Sequence, residues 1–553
     1  MNVHFVAALP LRGGPRDRID RRPSTRRFNG GWRKIQAERG CPPRPRAGRI
    51  SQFDLIGRGV FCRLWGRLRE GDRVILLDRL YFLLGLMLEN TAILRRGRSR
   101  KAPMSSTRKI QKQEPSWFQA ASRLAGRPTS ILERRRMRPE QNWSGNHTFE
   151  AHRIHRPASV DEVRRIVYAS AKIHAVGARH SFNGVADSSG DLIDLSGIDP
   201  QITVDPDRRT VTVGAAATYG LLAAELHGLG WALHNMASLP HISVVGAVST
   251  GTHGSGDRHG ALPTAVAGLE MVTASGDLIE LGRGQDGFDG IVVGLGAFGV
   301  ITRVTLDIEP AYEMRQDAFE GLSWATVLAD LDAITSPATS FSLMTFWSGE
   351  TVSRLWIKTR LTDGQPREVS AAHLGARPAS TPIALGPDDG PVTLTPFGVP
   401  GPWFERLIHL PPDHQPGPRE QIQSEYLLPR SKAAAAFVKL RAMAHRIDPH
   451  LFISEIRAMA GDRLWLSPAY GEDTVAIHFT WKREPDAVAA LTAEIEEMLL
   501  PLGGRPHWGK VIHTPAARLA PLYPRMQAFR DLARSYDPNG KFRNAFLERH
   551  VFE

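Results

Sequence analysis

The feature that most constrains this chain is a break in charge at residue 136. Residues 1–136 carry 32 Lys and Arg against 10 Asp and Glu, a net of +22, whereas residues 137–553 carry 38 against 47, a net of −9. A self-repelling leader rich in Arg, Pro and Gly buries too little apolar surface to offset its ordering entropy. The leader reads either as a disordered extension or as sequence upstream of the true start, with Met104 and Met137 as alternative starts. Ser24-Thr25-Arg26-Arg27-Phe28 has the form of a twin-arginine signal, but Asn29-Gly30-Gly31-Trp32 follows it in place of an apolar segment. Val74–Leu94 is apolar but is broken by Asp78, Arg79 and Glu89, and a spanning helix needs about 20 mostly uncharged residues. No membrane span is expected. An Arg-rich tail has the charge to bind nucleic acid or anionic lipid, a binding-module reading set below an enzymatic one.

A length of 553 residues allows two or three domains. Both cysteines, Cys41 and Cys62, lie in the leader. The body therefore has no disulfide framework and no cysteine-ligated metal, and no metal is expected.

The body is recognisable from Asn142. Ser159 with Glu162 three residues on forms a capping box, and Val160, Val163, Ile166 and Val167 give one apolar helical stripe. The chain then breaks into the turn Val176-Gly177-Ala178-Arg179-His180-Ser181-Phe182-Asn183. Strands are expected over 192–195 and 210–213, a helix over 219–229 ended by Gly228 or Gly230, and a hairpin over 269–281. Between them runs a second small-residue stretch, Asn235 through Gly256. A third glycine cluster, Gly294 to Gly299, enters a strand over 301–308. Backbone N–H groups and hydroxyls in such loops can cradle a pyrophosphate. No G-x-G-x-x-G follows a first strand, so a nicotinamide Rossmann reading is poor.

Pro366 to Pro418 is proline-rich and reads as loop within a second domain. Helices are expected over 431–447 and 487–501. Between them, Phe452–Arg457 and Val475–Trp481 read as strands. Glu455 and Arg457 share one face, and His478 and Thr480 share another opposite Ile477 and Phe479. If 507–512 is a strand, Lys510 lies on the side of Trp508. Each has a plainer reading: an ion pair on a solvated face, a satisfied core histidine, a surface lysine. The apolar flanks argue against simple solvent exposure.

From Asn142 onward the chain resembles the alditol oxidases, FAD enzymes of the vanillyl-alcohol-oxidase type. The resemblance rests on Asn142-Trp143-Ser144-Gly145-Asn146, His180-Ser181-Phe182-Asn183, Asn235 through Gly256, Phe397 through Trp403, Gln423-Ser424-Glu425-Tyr426-Leu427, Trp465 through Tyr470, Arg505 through Lys510 and Asp537 through Phe542. It implies an α+β fold: an FAD-binding domain over 137–314, a sheet-and-helix substrate (cap) domain over 315–504, and a segment 505–553 returning to the first. It implies FAD bound covalently through His180. The cofactor would be held by Val176, Gly177, Ala178, Arg179, Ser181, Phe182, Ser238, Ser243, Gly246, Thr250, Gly251, Thr252, His253, Ile301 and His507. Ser238, Glu455, Arg457, Thr480 and Lys510 would line a polyol pocket, with Arg457 and Lys510 gripping the reacting hydroxyl and Lys510 accepting its proton. His478 is a neighbour without an assigned role. Arg179 departs from the small residue found before the flavin histidine in some relatives, and its charge could raise the flavin's electron affinity.

The implied reaction is oxidation of a primary hydroxyl of a sugar alcohol of the xylitol and sorbitol class to the aldose, with dioxygen reduced to hydrogen peroxide. The partners are the polyol and dioxygen alone, in a cytoplasmic monomer. An aldonolactone oxidase or dehydrogenase on the same scaffold is the alternative.

Overall fold

The computed structural model describes residues 140–361, 375–380, 383, 397–409 and 421–553. These lie within the unit Pro128–Glu553. The expectations for the leader, and most of those for the stretch Pro366 to Pro418, fall outside the described residues.

Two sheets carry residues 153–307. The smaller is parallel, in the order β1 (Arg153–His155), β3 (Asp191–Asp194), β2 (Ile173–Val176). Its connection is α1 (Val160–Ala169), which begins where the capping box puts it. Ser159 Oγ accepts from Glu162 N at 3.3 Å, and the Glu162 carboxylate accepts from Ala158 N at 2.8 Å. Val163 and Val167 of the apolar stripe are fully buried. The second sheet is antiparallel, in the order β4 (Thr203–Asp205), β5 (Thr210–Gly214), β8 (Val300–Asp307), β6 (Val266–Val272), β7 (Leu278–Gly282). The expected hairpin is β6–β7, and the expected helix is α2 (Tyr219–Gly228), capped by the Thr218 hydroxyl.

Residues 313–506 build one larger antiparallel sheet. Its long strands run β9 (Glu313–Glu320), β11 (Arg354–Arg360), β10 (Ser340–Thr345), β13 (Leu451–Met459), β14 (Thr474–Lys482), β12 (Gln421–Pro429), with two-residue strands at the margins. Along β14 every residue from Thr474 to Trp481 is buried. Successive side chains on a strand point to opposite faces, so one face gives Val475, Ile477, Phe479 and Trp481 to an apolar core. The helices α3 (Ala433–Ala442) and α4 (Pro485–Leu499) cover that core through Phe437, Leu440, Val488 and Ile495. The other face presents Ala476, His478 and Thr480, and the polar pair is buried too. A buried polar face requires partners or a ligand.

Two expectations are corrected. The helix expected over 431–447 is broken at Met443, where α3 ends and a four-residue turn of helix, Ala444–Ile447, begins. The strand expected over 507–512 stops at Arg505–Pro506. Lys510 N donates to His507 O and Gly509 N to His507 Nδ1, both at 3.0 Å, and these bonds fold the segment into a turn. Trp508 is consequently fully buried, donating to Leu466 O at 2.7 Å, while Lys510 lines a cavity elsewhere.

Candidate active site

The polar face of the large sheet and the glycine-rich loops of the first half line one cavity of about 600 Å3. Of the residues singled out in the sequence, Val176 through Phe182, Ser238, Ser243, Gly246, Thr250, Thr252, His253, Ile301, Glu455, Arg457, His478, Thr480, His507 and Lys510 all line it. Gly251 does not. Its backbone is left-handed (φ +69), and a Cβ there would meet Pro468 at 2.9 Å, so it packs away from the cavity.

The His180 turn is clamped by its neighbours in space. Asn142 donates to Ser181 O at 2.8 Å, and Asn146 donates to Phe182 O at 2.9 Å. The Trp143 ring lies 4.8 Å from the His180 ring, and the His241 ring lies 4.5 Å away on centroids. Burial holds the His180 imidazole well below its ordinary pKa, reinforced by His241 and Lys510, so the ring is neutral. Its Nδ1 is buried without a hydrogen-bond partner among the described residues. Arg179 takes a left-handed conformation (φ 61). Its guanidinium pairs with Glu140 and stands 3.4 Å from Asp194, so two carboxylates compensate the charge that the sequence places before His180.

Ser243 closes this half of the cavity. Its Oγ accepts from Ala178 N at 3.4 Å. A Cβ on Gly246 would lie 2.6 Å from that oxygen, and one on Gly177 would lie closer still. A side chain at either position would displace the Ser243 hydroxyl. The neutral, unpartnered histidine and the glycine cradle fit a flavin dinucleotide threaded between the loops.

The other half is a row of side chains in register across the sheet. Met344 of β10, Glu455 of β13, His478 of β14 and Glu425 of β12 are successive cross-strand partners. Arg457 Nη2 donates to Glu425 Oε1 at 2.6 Å, and His253 Nε2 stands 3.1 Å from the same oxygen. Burial alone would raise the Glu425 carboxyl, but Arg457 and His253 outweigh it and hold it well below its ordinary range. His253, Glu425 and His507 bring possible metal-ligand atoms within 4.8 Å of one another, with the carboxylate already engaged by Arg457. Arg457 Nη1 reaches Ser238 Oγ at 3.4 Å, and its Nε lies 3.8 Å from Glu455 Oε2. The Arg457 guanidinium is thus shared between the Glu425 and Glu455 carboxylates.

Burial pulls Lys510 down to about 8, against the pull of Glu425 and with help from Arg457. Its ammonium contacts Gln423 Oε1 and lies 5.0 Å over the Phe182 ring. Burial also pushes His478 and His507 down to about 3, so both are neutral. His478 Nε2 pairs with Gln423 Oε1 at 3.2 Å.

Four site residues were not singled out as functional from the sequence: Gln421, Gln423, Glu425 and His409. The first three alternate along β12, and that period-2 polar face within an apolar strand was the available signal. His409 belongs to no regular element and gave none.

Comparison with known proteins bears on these features. Residues 151–282 match the FAD binding domain family, and residues 418–550 match the D-arabinono-1,4-lactone oxidase family. The alditol oxidase of Streptomyces sp. is 43% identical over 412 residues, covering 73% of this chain and 97% of that protein. The L-gulono-1,4-lactone dehydrogenase of Mycobacterium tuberculosis is 28% identical over 431 residues, covering 74% and 98%. Cholesterol oxidase from B. sterolicum superposes with a TM-score of 0.61 at 16% identity, over 74% of this chain and 96% of that one, a likeness of fold. With the loops, cavity and match lengths in agreement, the chain belongs to the alditol oxidase family of FAD-dependent oxidoreductases, with the vanillyl-alcohol-oxidase-type fold.

Proposed function

We propose that this protein oxidises a primary hydroxyl of a sugar alcohol of the xylitol and sorbitol class to the aldose, with dioxygen reduced to hydrogen peroxide. The observation that carries this reading is the set of polar side chains on a cavity shared with the glycine loops: buried Gln423, Glu455, Arg457 and Thr480, with half-buried Ser238 and Lys510. A site rich in hydroxyl partners discriminates strongly against ligands that lack them.

When bound, FAD supplies the hydride acceptor and the route of electrons to oxygen. The chain's own residues orient the alcohol and take its proton. Lys510 is the proton acceptor, because burial brings it within reach of neutrality. Arg457, anchored by Glu425, holds the reacting oxygen. Glu455, Ser238 and Thr480 pair with the remaining hydroxyls. Neutral His180 carries the bond to the cofactor. FAD is assigned to residues 137–314 with 505–553, and the substrate to 315–504, with Ser238 and Lys510 contributed to its pocket from the FAD-binding segments.

The working state is a cytoplasmic monomer with no nucleic-acid partner. No helix among the described residues is long and apolar enough to cross a membrane.

The test is peroxide release from purified protein given xylitol, sorbitol or D-arabinono-1,4-lactone. Turnover of the polyols with little of the lactone is expected. Preference for the lactone overturns the substrate assignment in favour of the alternative that the match over 418–550 suggests.

A further inference from the structure

Behind Glu455 lies a second buried chain of polar groups that the reaction outlined above does not use. His409 Nε2 is 2.8 Å from Glu455 Oε1. On the far side of the ring, Lys358 Nζ is 3.5 Å from His409 Nδ1. Lys358 is fully buried on β11, and its ammonium also donates to Leu407 O at 2.7 Å and Ile408 O at 3.2 Å. Three acceptors surround Nζ, which matches the three N–H donors of an ammonium. The Trp356 ring meets the His409 ring edge-on at 5.1 Å, and His409 N donates to Ser238 O at 3.0 Å.

Burial draws Lys358 down to about 7 against the pull of Glu455, and in its charged form the geometry gives one arrangement of protons. An ammonium can only donate, so His409 Nδ1 accepts. The proton of the neutral ring then sits on Nε2 and is donated to Glu455 Oε1. Ser342 Oγ, 3.4 Å from Nε2, is the other nearby group. Glu455 Oε2 faces Arg457 Nε at 3.8 Å, beyond hydrogen-bond distance, and the Ser342 hydroxyl is the other protein group that acts on this carboxylate.

We propose that Lys358 and His409 are positioning residues of the polyol site. Lys358 and the Glu455 carboxylate between them hold the tautomer of His409, and His409 commits one oxygen of Glu455 to the protein so that the other receives a substrate hydroxyl. The same histidine ties the Ser238 backbone to Glu455, so two hydroxyl partners from different halves of the cavity keep one spacing. The inference rests on the polyol-oxidase reading for its kinetic consequence but not for the tautomer.

The experiment uses the full-length holoprotein and four forms: wild type, His409→Leu, His409→Gln and Lys358→Met. Glutamine places an N–H donor near the position of Nε2, whereas leucine does not. His409→Leu and Lys358→Met should raise KM for xylitol about tenfold or more while kcat changes by less than about threefold. His409→Gln should recover KM to within about threefold of wild type. A merely structural role predicts equal damage from leucine and glutamine, or a fall in kcat with KM unmoved, and either result overturns the proposal.

Nitrogen-15 spectra of the histidine-labelled protein read the tautomer independently of turnover. The His409 signals are identified by their loss in His409→Gln. An Nε2–H imidazole in wild type that loses its fixed tautomer in Lys358→Met is expected. An Nδ1–H ring or an imidazolium in wild type overturns the proposal. A wild-type protein that oxidises no polyol sinks the functional reading alone, because the spectra still decide the tautomer.

Discussion

Asn183 Nδ2 donates to the backbone carbonyl of Lys510 at 2.6 Å, and the same amide donates to Trp508 O at 2.8 Å. One side chain at the end of the His180 turn thereby sets where the Lys510 turn stands, across 327 residues of sequence. Asn183→Leu leaves both carbonyls without this donor, at a cost of about 1–3 kcal/mol. The expected result is a lower melting temperature together with a loss of kcat that exceeds any change in flavin content. Full activity at reduced melting temperature would show that the two turns are placed independently.

Glu425 and Arg457 form a buried pair at 2.6 Å. Replacing one partner of such a pair leaves the other charge uncompensated, typically at about 3–5 kcal/mol. Glu425→Gln should lower stability by that order in chemical denaturation and should weaken polyol binding, because Arg457 loses its anchor. The pair also gives a pH dependence. The folded-state pKa of Glu425 is depressed, so its contribution is present above the ordinary carboxylate range and is lost as pH falls through its lowered folded value. Wild type should therefore lose more stability than Glu425→Gln between neutral and strongly acidic pH. Equal losses in the two proteins would refute this.

Lys510 is expected to act as a base, and a lysine accepts a proton only when neutral. With its pKa drawn down to about 8, kcat/KM for a polyol should climb with pH and level off above that value. Lys510→Ala should abolish turnover while the protein stays yellow. Near-normal kcat in that variant, or a flat profile through pH 8 in wild type, would remove the assignment.

His180 is expected to hold the flavin covalently. Acid precipitation of the purified protein should carry the yellow colour into the pellet, and in His180→Ala the colour should pass to the supernatant. Free flavin from wild type would keep FAD as cofactor and end the covalent claim.

A Cβ at Gly246 would intrude on Ser243 Oγ at 2.6 Å. Gly246→Val should reduce FAD content, read as the ratio of flavin to protein absorbance, with the far-ultraviolet spectrum unchanged. Undiminished FAD content would show that the Ser243 side chain moves aside. Removing residues 1–136 should leave activity intact; loss of turnover would assign the leader a role in the enzyme.

Much of the site was legible because its chemistry interrupts a pattern. Glu455 and Arg457, like His478 and Thr480, stand two apart among apolar residues, so strand alternation alone places each pair on one face. The capping box at Ser159 and Glu162 fixed the start of α1 by local hydrogen bonding, which needs no distant partner. The Gly177 turn and the small-residue stretch around Gly246 were visible from composition, although Gly246 lies in the short helix Val244–Ser249 and Gly251, in the same stretch, faces Pro468. Whether a loop glycine serves a ligand or a neighbour depends on what lies opposite, which local sequence does not encode.

The sequence by itself determined which side chains share a face and where the small-residue turns fall, because both follow from backbone periodicity and sterics over a few residues. Only the tertiary structure decided how the charges are spent. Glu425 reaches His478 and Arg457 through the register of β12 against β14 and of β14 against β13, and Lys358 reaches Glu455 only through His409 on an irregular segment. Lys510 was assigned its role by resemblance, but its direction came from a turn closed by His507 and held by Asn183. Partnership between buried charges depends on a few ångströms of separation, and those separations are fixed by strand register and by the packing of distant segments.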